Sequence, residues 1–450
     1  MEGKNGLMTH GNIAKQLIVF AIPLLVGNLF QQLYNTVDSI VVGNFIGDQA
    51  LAAVNSSGPI IDMLVSFFMG LSLGAGVLIS NYFGAQDCQG VKEGIHTAMA
   101  LALVSSLITT IVGVIFTPII LKWVRVDSSV IGQSIIYLRI YFLGVIGLII
   151  YNMISGILRA VGDSKYPLYF LVVSSIVNII LDLVFVVIFK MGIAGVAIAT
   201  TIAQITSALL SIYILVRSKE MYKLELQQIH FYPDILKKTA KIGMPSAMQN
   251  AVVSFSNIIM QSNIIMQSNI NVFGAYAMAG TGSYTKIDGF AILPVLSFAM
   301  ALTTFVGQNK GAQEYERIKK GARIGTLISC GIILTLTIII VFTTPYLLRI
   351  FSSNSQVIEY GRTMMLCIAP GYLFLTLSQC ICGVLRGVGR TNIPMFVLIG
   401  CWCIFRVIWV TVTTNIFHNI VFVNLGWPVS WIFSSLVLGV YYYKANWLYD

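Results

Sequence analysis

The chain has 450 residues, of which 57% are hydrophobic and only 10% are charged. Because soluble domains carry about 25% charged residues, this composition excludes a water-soluble globular protein. The net charge of +10 does not indicate nucleic-acid binding, since the basic residues cluster in short segments between apolar stretches.

Apolar stretches long enough to cross a bilayer recur along the whole chain. A membrane-spanning helix needs about 20 such residues, and these stretches are continuous in Leu, Ile and Val, unlike the alternating strands of a membrane β-barrel. We therefore predict an all-α, polytopic membrane protein with twelve transmembrane helices. The predicted helices lie near residues 14–43, 50–83, 95–121, 130–158, 166–190, 192–216, 240–272, 276–307, 322–351, 356–384, 393–416 and 420–443.

The placement of the basic residues predicts the orientation of these helices. If both termini are cytoplasmic and the helices alternate, 19 of the 27 Lys and Arg residues lie on the cytoplasmic side, 5 lie outside and 3 lie within helices. Cytoplasmic loops are enriched in Lys and Arg. We therefore expect a multi-pass membrane protein with both termini in the cytoplasm.

The two halves of the chain repeat each other. "SGILRAVGDSKYP" (155–167) matches "CGVLRGVGRTNIP" (382–394), and "YFGAQD" (82–87) matches "NKGAQE" (309–314), both at an offset of 227 residues. Parallel repeats about an axis along the membrane normal are one plan of transporters. The repeat predicts two six-helix bundles in tandem.

The repeat also sets the expected domain bounds and the roles of its loop motifs. We expect an N-terminal lobe (1–216), a cytoplasmic linker (217–238) and a C-terminal lobe (239–450). In the repeated motif, Gly162 and Gly389 permit tight turns, and Arg159 and Arg386 are expected to hold carbonyl groups at helix ends. The predicted role of all four is structural.

A second, shorter repeat interrupts the predicted seventh helix. "NIIMQS" occurs at residues 257–262 and again at 263–268. The offset between the halves is 222 residues upstream of this hexamer and 227 downstream, so the second copy has the character of an insertion. Six residues add roughly 9 Å of helix and a net rotation of about −120°. The sequence leaves open whether the insertion is functional, tolerated, damaging or artefactual.

Acidic residues within the predicted helices point to an ion site in the first half. Asp38 lies deep in the first helix, and Asp182 lies in the middle of the fifth, four residues after Asn178 and so on the same face. Thr200 lies in the sixth helix. Two carboxylates, an amide and a hydroxyl suit a hard cation such as Na⁺, or they suit a proton shared between two carboxyls. A polar cluster that only braces the helices is the alternative.

Other residues have weaker claims to a substrate-binding cleft. Phe30 and Tyr34 are aromatic residues near Asp38, and Asp62 follows a proline in the second helix. Asp288 either faces the cleft or braces the eighth helix. Arg406 is a cation within a helix, and the sequence identifies no partner for it.

Catalytic chemistry has little support in the sequence. Only four histidines occur, all near the ends of apolar segments, and no pair has metal-ligand spacing. A membrane acyl- or glycosyltransferase would need a cluster of His or Asp at the interface, and none is visible. We expect no enzyme activity, no cofactor and no metal other than Na⁺ at the ion site.

Several motifs together resemble the MATE family of multidrug and toxin extrusion antiporters. They are "IPLLVGNLFQQLYNTVDSIVVG", "YFGAQ", "LRAVGDSKYP", "GVAIATTIAQ" and "TKIDGFAILP", and the resemblance covers nearly the whole chain. It implies two six-helix lobes in a V around a central cleft. It also implies export of amphipathic, often cationic compounds in exchange for Na⁺ or H⁺ across a bacterial cell membrane. We expect the protein to be a monomer in the lipid bilayer.

The resemblance also bears on the individual residues. The first-lobe cation site of the family falls on Asp38, Asn178, Asp182 and Thr200, whereas the acids that some members use on helices seven and ten have no counterpart here. Two alternatives stay open. One is a flippase for lipid-linked oligosaccharides on a related fold, and the other is a MATE-like protein inactivated by the hexamer.

Overall fold

Helices form almost all of the structure, a computed structural model that describes residues 6–124, 126–261, 274–417 and 419–448. The helices of the first half are α1 (Ile13–Phe45), α2 (Asp48–Gly84), α3 (Cys88–Trp123), α4 (Ile131–Ala160), α5 (Lys165–Asp182) and α6 (Gly192–Arg217). α5 continues directly as a π-helix (Leu183–Ile188), and a 3₁₀-helix (Leu226–Gln228) follows α6.

The second half has the same character but more interruptions. Its helices are α7 (Pro233–Gln261), α8 (Ala275–Gly311), α9 (Tyr315–Arg349), α10 (Ser355–Ile368), α11 (Gly371–Gly387), α12 (Asn392–Leu398), α13 (Arg406–Phe417), α14 (Ile420–Asn424) and α15 (Gly426–Lys444). A π-helix (Ile399–Phe405) joins α12 to α13. Among the described residues there is no strand, and the predicted all-α fold is confirmed.

The protein is a multi-pass membrane protein. Within the described ranges, ten helices are long and apolar enough to cross a bilayer, and an eleventh span results if α10 and α11, which meet at a 49° bend, are taken together. Large apolar side chains on these helices are exposed, as in Phe342, which is 76% exposed, and lipid rather than water is the solvent that suits such surfaces. The predicted count of twelve is close to this number. The predicted segment near 240–272 overlaps α7 and then leaves the described residues.

The sequence repeat is also a repeat of backbone conformation. Three pairs of residues related by the 227-residue offset share a left-handed backbone: Gly47 and Gly274 (φ 110° and 91°), Gln86 and Gln313 (57° and 59°), and Gly162 and Gly389 (85° and 86°). In the last pair, the turn closes in the same way in both halves. The N–H of Gly162 donates to the Arg159 carbonyl at 2.9 Å, and the N–H of Gly389 donates to the Arg386 carbonyl at 2.8 Å.

The chain divides into two compact units. The described residues of the first are 6–7 and 22–247, and the second contains Met8–Ala21 and the described residues from Met248 onward. The start of α1 thus packs with the second half of the chain, and the start of α7 packs with the first. The lobe and linker bounds expected from the sequence remain a prediction.

The segment between α6 and α7 is fixed to the first unit by α3. His96 is fully buried, and its Nε2 atom lies 3.1 Å from both the amide nitrogen and the carbonyl oxygen of Glu225. The Lys92 ammonium forms a 3.0 Å ion pair with the Glu225 carboxylate. These contacts order a segment that the sequence alone presents only as a basic linker.

Small residues bring the helices that carry the candidate site close together. In α4, Gly144 faces the Thr201 side chain, and a Cβ atom added at Gly147 would lie 2.7 Å from the Ile205 backbone nitrogen of α6. The Ser72 hydroxyl of α2 donates to the Asn152 carbonyl of α4 at 2.7 Å. Glycine and serine at such crossings allow close helix packing in membranes.

The hexamer repeat lies only partly within the described residues. Its first copy begins at Asn257, and α7 ends at Gln261 within that copy. Ser262 and the whole second copy, 263–268, lie outside the described residues. The origin of the insertion therefore stays as the sequence leaves it.

Candidate functional site

Two acidic side chains meet inside the first unit. Asp38 of α1 is 8% exposed, and Asp182, the last residue of α5, is fully buried. Their carboxyl groups are close enough to repel each other when both are ionised. Because ionised carboxylates only accept hydrogen bonds, this arrangement requires either a proton between the two groups or a cation that offsets their repulsion.

The local helix geometry at Asp182 is irregular. α5 changes to a π-helix directly after this residue, over Leu183–Ile188. Short π-helical segments inside α-helices occur frequently at functional sites, because the wider turn redirects side chains. The acidic residue thus lies at the one point of α5 where the regular helical register ends.

Asn178 and Thr200 complete a buried polar group around the acids. Asn178 lies one turn before Asp182 on α5 and is 1% exposed, and Thr200 lies on the neighbouring α6 and is 3% exposed. Within the part of the chain that the structure describes, both side-chain atoms of the Asn178 amide, the Thr200 hydroxyl, Oδ1 of Asp38 and both oxygens of Asp182 lack a hydrogen-bond partner. Leaving such a buried group unpaired costs about 1–3 kcal/mol.

This set of atoms fits a small hard cation. It offers carboxylate, amide and hydroxyl oxygens, which are the ligands that alkali and alkaline-earth cations prefer. A cluster that only braces the helices would pair these atoms with one another or with the backbone. The unpaired atoms favour a cation or a proton as the missing partner.

A cavity of about 190 Å³ adjoins this polar group within the first unit. Of the residues predicted for the ion site and the cleft, four line it: Tyr34, Asp62, Asn178 and Thr200. Phe30, also predicted for the cleft, is not among its lining residues and is 40% exposed. Asp38 and Asp182 do not line it either, so the acid pair and the cavity are adjacent through Asn178 and Thr200.

Further polar residues of this cavity were missed at the level of sequence. They are Asn28, Gln31 and Asn35 on α1, Tyr141 and Asn152 on α4, Ser174 and Ser175 on α5, and Gln204 on α6. Helical spacing is the signal that would have found several of them. Gln204 follows Thr200 by four residues, Ser174 precedes Asn178 by four, and both therefore share a face with a predicted residue.

Asp288 lies in the second unit and has hydrogen-bond partners. Its carboxylate accepts a 2.5 Å hydrogen bond from the Tyr372 hydroxyl and a 3.0 Å hydrogen bond from the Tyr284 hydroxyl. These bonds join α8 to α11. Of the two roles considered for Asp288, the contacts match the one that braces the eighth helix.

Arg406, whose partner was open, also lies in the second unit. Its Nε and Nη2 atoms donate to the Ser430 hydroxyl at 3.1 and 2.8 Å. The guanidinium lies over the rings of Trp402 and Trp427, with its central carbon 5.7 and 5.6 Å from their centroids. Stacking and hydrogen bonding of this kind suit a guanidinium better than an ammonium.

The loop motifs behave as predicted only in their backbone. Gly162 and Gly389 take the left-handed conformation that the turns require. The side chains of Arg159 and Arg386, in contrast, make no hydrogen bond to a helix-end carbonyl anywhere in the described chain. Arg386 has a fully buried Nε atom without a partner, and Arg159 faces the cavity of the first unit.

Comparison with known proteins places the whole chain in one family. The family model described as MatE matches residues 23–184 and 245–412. Among curated proteins, the probable multidrug resistance protein YpnP of Bacillus subtilis is 28% identical over 440 residues, which is 98% of this chain and 97% of that protein. The probable multidrug resistance protein NorM of Thermotoga maritima is 26% identical over 453 residues, covering 97% and 93%.

Solved structures show the same fold. An outward-facing multidrug resistance MATE family transporter of the MOP superfamily matches with a TM-score of 0.89 at 21% identity, over 98% of both chains. A MOP superfamily transporter from Pyrococcus furiosus, described as having a binding pocket of reverse polarity, matches with a TM-score of 0.89 at 22% identity, also over 98% of both. The family match spans both halves of the chain, and the chain belongs to the MatE family as a membrane transporter rather than an enzyme.

Proposed function

We propose that the protein is a secondary active multidrug efflux antiporter, which exports amphipathic, often cationic compounds in exchange for Na⁺ or H⁺ by alternating access. One observation carries the proposal: buried, unpaired oxygens of Asp38, Asn178, Asp182 and Thr200 adjoin a polar cavity. A transporter that couples two fluxes needs an ion site and a substrate site that influence each other. The names of the curated relatives supply the substrate class.

The first helix links the two sites in this proposal. α1 carries Asp38, and the same helix lines the cavity with residues from Pro23 to Asn35. A proline inside a helix removes a backbone hydrogen bond and favours a kink. A cation that binds Asp38 and Asp182 would shift α1 at this weak point and so change the cavity wall.

Coupling then follows from differential binding. A cation arriving from outside neutralises the acid pair, shifts α1 and lowers the affinity of the cavity for the exported compound. By thermodynamic reciprocity, the compound lowers the affinity for the cation to the same degree. Each ligand shifts the conformational equilibrium only by its difference in affinity for the two states.

Either Na⁺ or a proton satisfies the acid pair. The oxygen-rich set suits Na⁺, and two neighbouring carboxyls suit one shared proton. The proposal therefore includes both ions. The transporting unit is a monomer, and its two six-helix lobes move relative to each other during transport. Both termini lie on the cytoplasmic side of a bacterial cell membrane.

The flippase alternative has less support from the cavity. A site for a lipid-linked pyrophosphate needs several cationic side chains, and Arg159 is the only Lys or Arg among the described residues that line this cavity. Arg406 is engaged by Ser430 and two tryptophans in the second unit.

Uptake of a fluorescent cationic dye into liposomes containing the purified protein tests the proposal. The dye flux is measured under an imposed Na⁺ gradient and, separately, under an H⁺ gradient. We expect uptake under one gradient only, and its loss in Asp182→Asn with normal membrane insertion. Full dye flux through Asp182→Asn would contradict the assignment of the ion site.

A further inference from the structure

Arg159 marks a second chemically distinct end of the cavity in the first unit. It is the penultimate residue of α4, and the same helix lines the cavity at Tyr141, Leu148 and Asn152. The Tyr141 hydroxyl accepts a 3.1 Å hydrogen bond from the Gln204 amide, which lies one turn after Thr200 on α6. Since 18 residues of helix span about 27 Å, Arg159 and the acidic residues lie at opposite ends of the cavity.

The Arg159 guanidinium has donors that the protein does not use. Over the described ranges it forms neither an ion pair nor a side-chain hydrogen bond. Asp163, four residues later, is engaged elsewhere, because its carboxylate accepts the backbone N–H groups of Lys165 and Tyr166 at 3.0 and 3.2 Å. The Tyr151 hydroxyl, about two turns before Arg159 on α4, donates to the Pro167 carbonyl at 3.1 Å.

A second hydrogen-bond donor, the Ser164 hydroxyl, also lines this cavity. Ser164 is 4% exposed and lines the cavity at the start of α5, yet its hydroxyl makes no side-chain capping hydrogen bond there. Asn152, also in the wall, donates its amide to the Leu148 carbonyl at 2.9 Å. Arg159 is partly exposed on the cavity wall, and the planar fork of a guanidinium matches a carboxylate in two parallel hydrogen bonds.

We propose that Arg159 and Ser164 bind a carboxylate group of the transported compound. This inference deepens the proposed function and rests on it. It adds amphipathic compounds with a free carboxylate, zwitterions included, to the cationic substrates that the acidic end favours. Because the two ends are separated by the length of the cavity, a drug-sized molecule engages Arg159 and the acid pair in succession rather than together.

Two dyes that differ only at the carboxylate test the proposal: a cationic xanthene dye with a free carboxylate, and the ethyl ester of that dye. Equilibrium binding of each is measured in neutral detergent by fluorescence polarisation. The variants are Arg159→Gln, Arg159→Lys and Ser164→Ala. Arg139→Gln is the matched control, since Arg139 lies on the same helix but is exposed and outside the cavity.

We expect Arg159→Gln to weaken binding of the carboxylate dye about tenfold, as the loss of a charge-assisted pair predicts. Binding of the ester should change less than twofold. Arg159→Lys and Ser164→Ala should each give a smaller, selective loss, and Arg139→Gln no loss. If Arg159→Gln does not fold, the other two variants decide, since both keep the charge of the cavity. Equal losses for both dyes, or no loss for either, would overturn the proposal.

The same dyes separate this inference from the proposed function. Coupled flux of the ester with no Arg159-dependent preference for the carboxylate would overturn the inference and leave the antiporter proposal intact. Absence of coupled flux for both dyes would overturn the antiporter proposal, and the binding preference measured in detergent would still decide the role of Arg159.

Discussion

Replacing Asp182 with asparagine should remove the response of the protein to its coupling ion without destabilising the fold. Asp182 is fully buried, and its carboxyl lies close enough to the Asp38 carboxyl for the two charges to interact. The substitution keeps the size of the side chain and removes one of the two formal charges. Without a bound cation it also relieves repulsion between two acids, so thermal stability in ion-free buffer should be unchanged or higher.

The magnitude follows from the charge that is lost. Two unit charges 4 Å apart interact by about 4 kcal/mol when the effective dielectric constant is about 20. At about 1.4 kcal/mol per tenfold change, the variant should bind the cation roughly a thousandfold more weakly. A ligand at 100 times its dissociation constant stabilises the native state by about 2.7 kcal/mol, and the variant should lose this stabilisation.

Thermal unfolding of detergent-solubilised protein provides the assay, measured across Na⁺ concentration at fixed pH and across pH at fixed Na⁺. The unsubstituted protein should respond to one of the two series. Asp182→Asn should lose that response and keep only the pH dependence of groups elsewhere, such as the Lys92–Glu225 ion pair. Asp288→Asn is the control, because its carboxylate is held by two tyrosine hydroxyls. It should lose about 1–3 kcal/mol of stability and keep the ion response. A large loss of stability in ion-free Asp182→Asn would refute the reasoning, since it would show that Asp182 braces the helices.

Three further outcomes are expected. Gly162→Ala should lower the midpoint of thermal unfolding more than Gly192→Ala. Both put a side chain in a left-handed backbone at a cost of roughly 1–2 kcal/mol, but a Cβ at residue 162 would also collide with the Gly6 carbonyl, whereas one at residue 192 meets no atom within 4 Å. Equal shifts would contradict this. The hydrogen bond and charge of Lys92 lower the pKa of Glu225 in the folded protein. The ion pair therefore stabilises the segment between α6 and α7 fully above the ordinary carboxyl pKa of about 4.3. This stabilisation is lost as the pH falls through the lower pKa of the folded state. Hydrogen exchange at Glu225, corrected for intrinsic rates, should therefore be faster in Lys92→Ala near pH 6, with the difference gone near pH 3; a difference that persists in acid would oppose this. Deletion of residues 263–268 should leave dye transport at least as fast as in the full chain, and loss of transport would show that the hexamer is a working part.

Much of the fold follows from the sequence because the bilayer imposes strong constraints. In lipid, the backbone N–H and C=O groups of a segment of about 20 apolar residues can pair only with one another, so the segment has to be helical. The internal repeat of the two halves could also be predicted from the sequence, and Gly162 and Gly389 occupy turns with nearly identical φ angles. The sequence does not indicate which distant segments of the chain pack together. Nothing in residues 8–21 indicates that they belong with the second half, because that depends on tertiary contacts.

Residues of the candidate site could be predicted where a charged side chain lies within an apolar, membrane-spanning segment. Asp38 and Asp182 stood out because a charge within the membrane costs roughly 2.5–3.5 kcal/mol on insertion scales. Uncharged polar residues such as Gln204 carry no comparable signal and were missed. Arg159 was placed in a loop motif by its neighbours in sequence, and its position on the cavity wall is visible only in the structure.

The central claim is that export of one compound is tied to entry of one kind of ion at the acid pair. The most direct test measures both fluxes in the same proteoliposomes, with dye fluorescence and either ²²Na⁺ or a trapped pH indicator. The account predicts that dye gradients drive ion movement in the unsubstituted protein, and that Asp38→Asn and Asp182→Asn each abolish this ion flux. Ion movement driven by dye that persists in both variants would contradict the account.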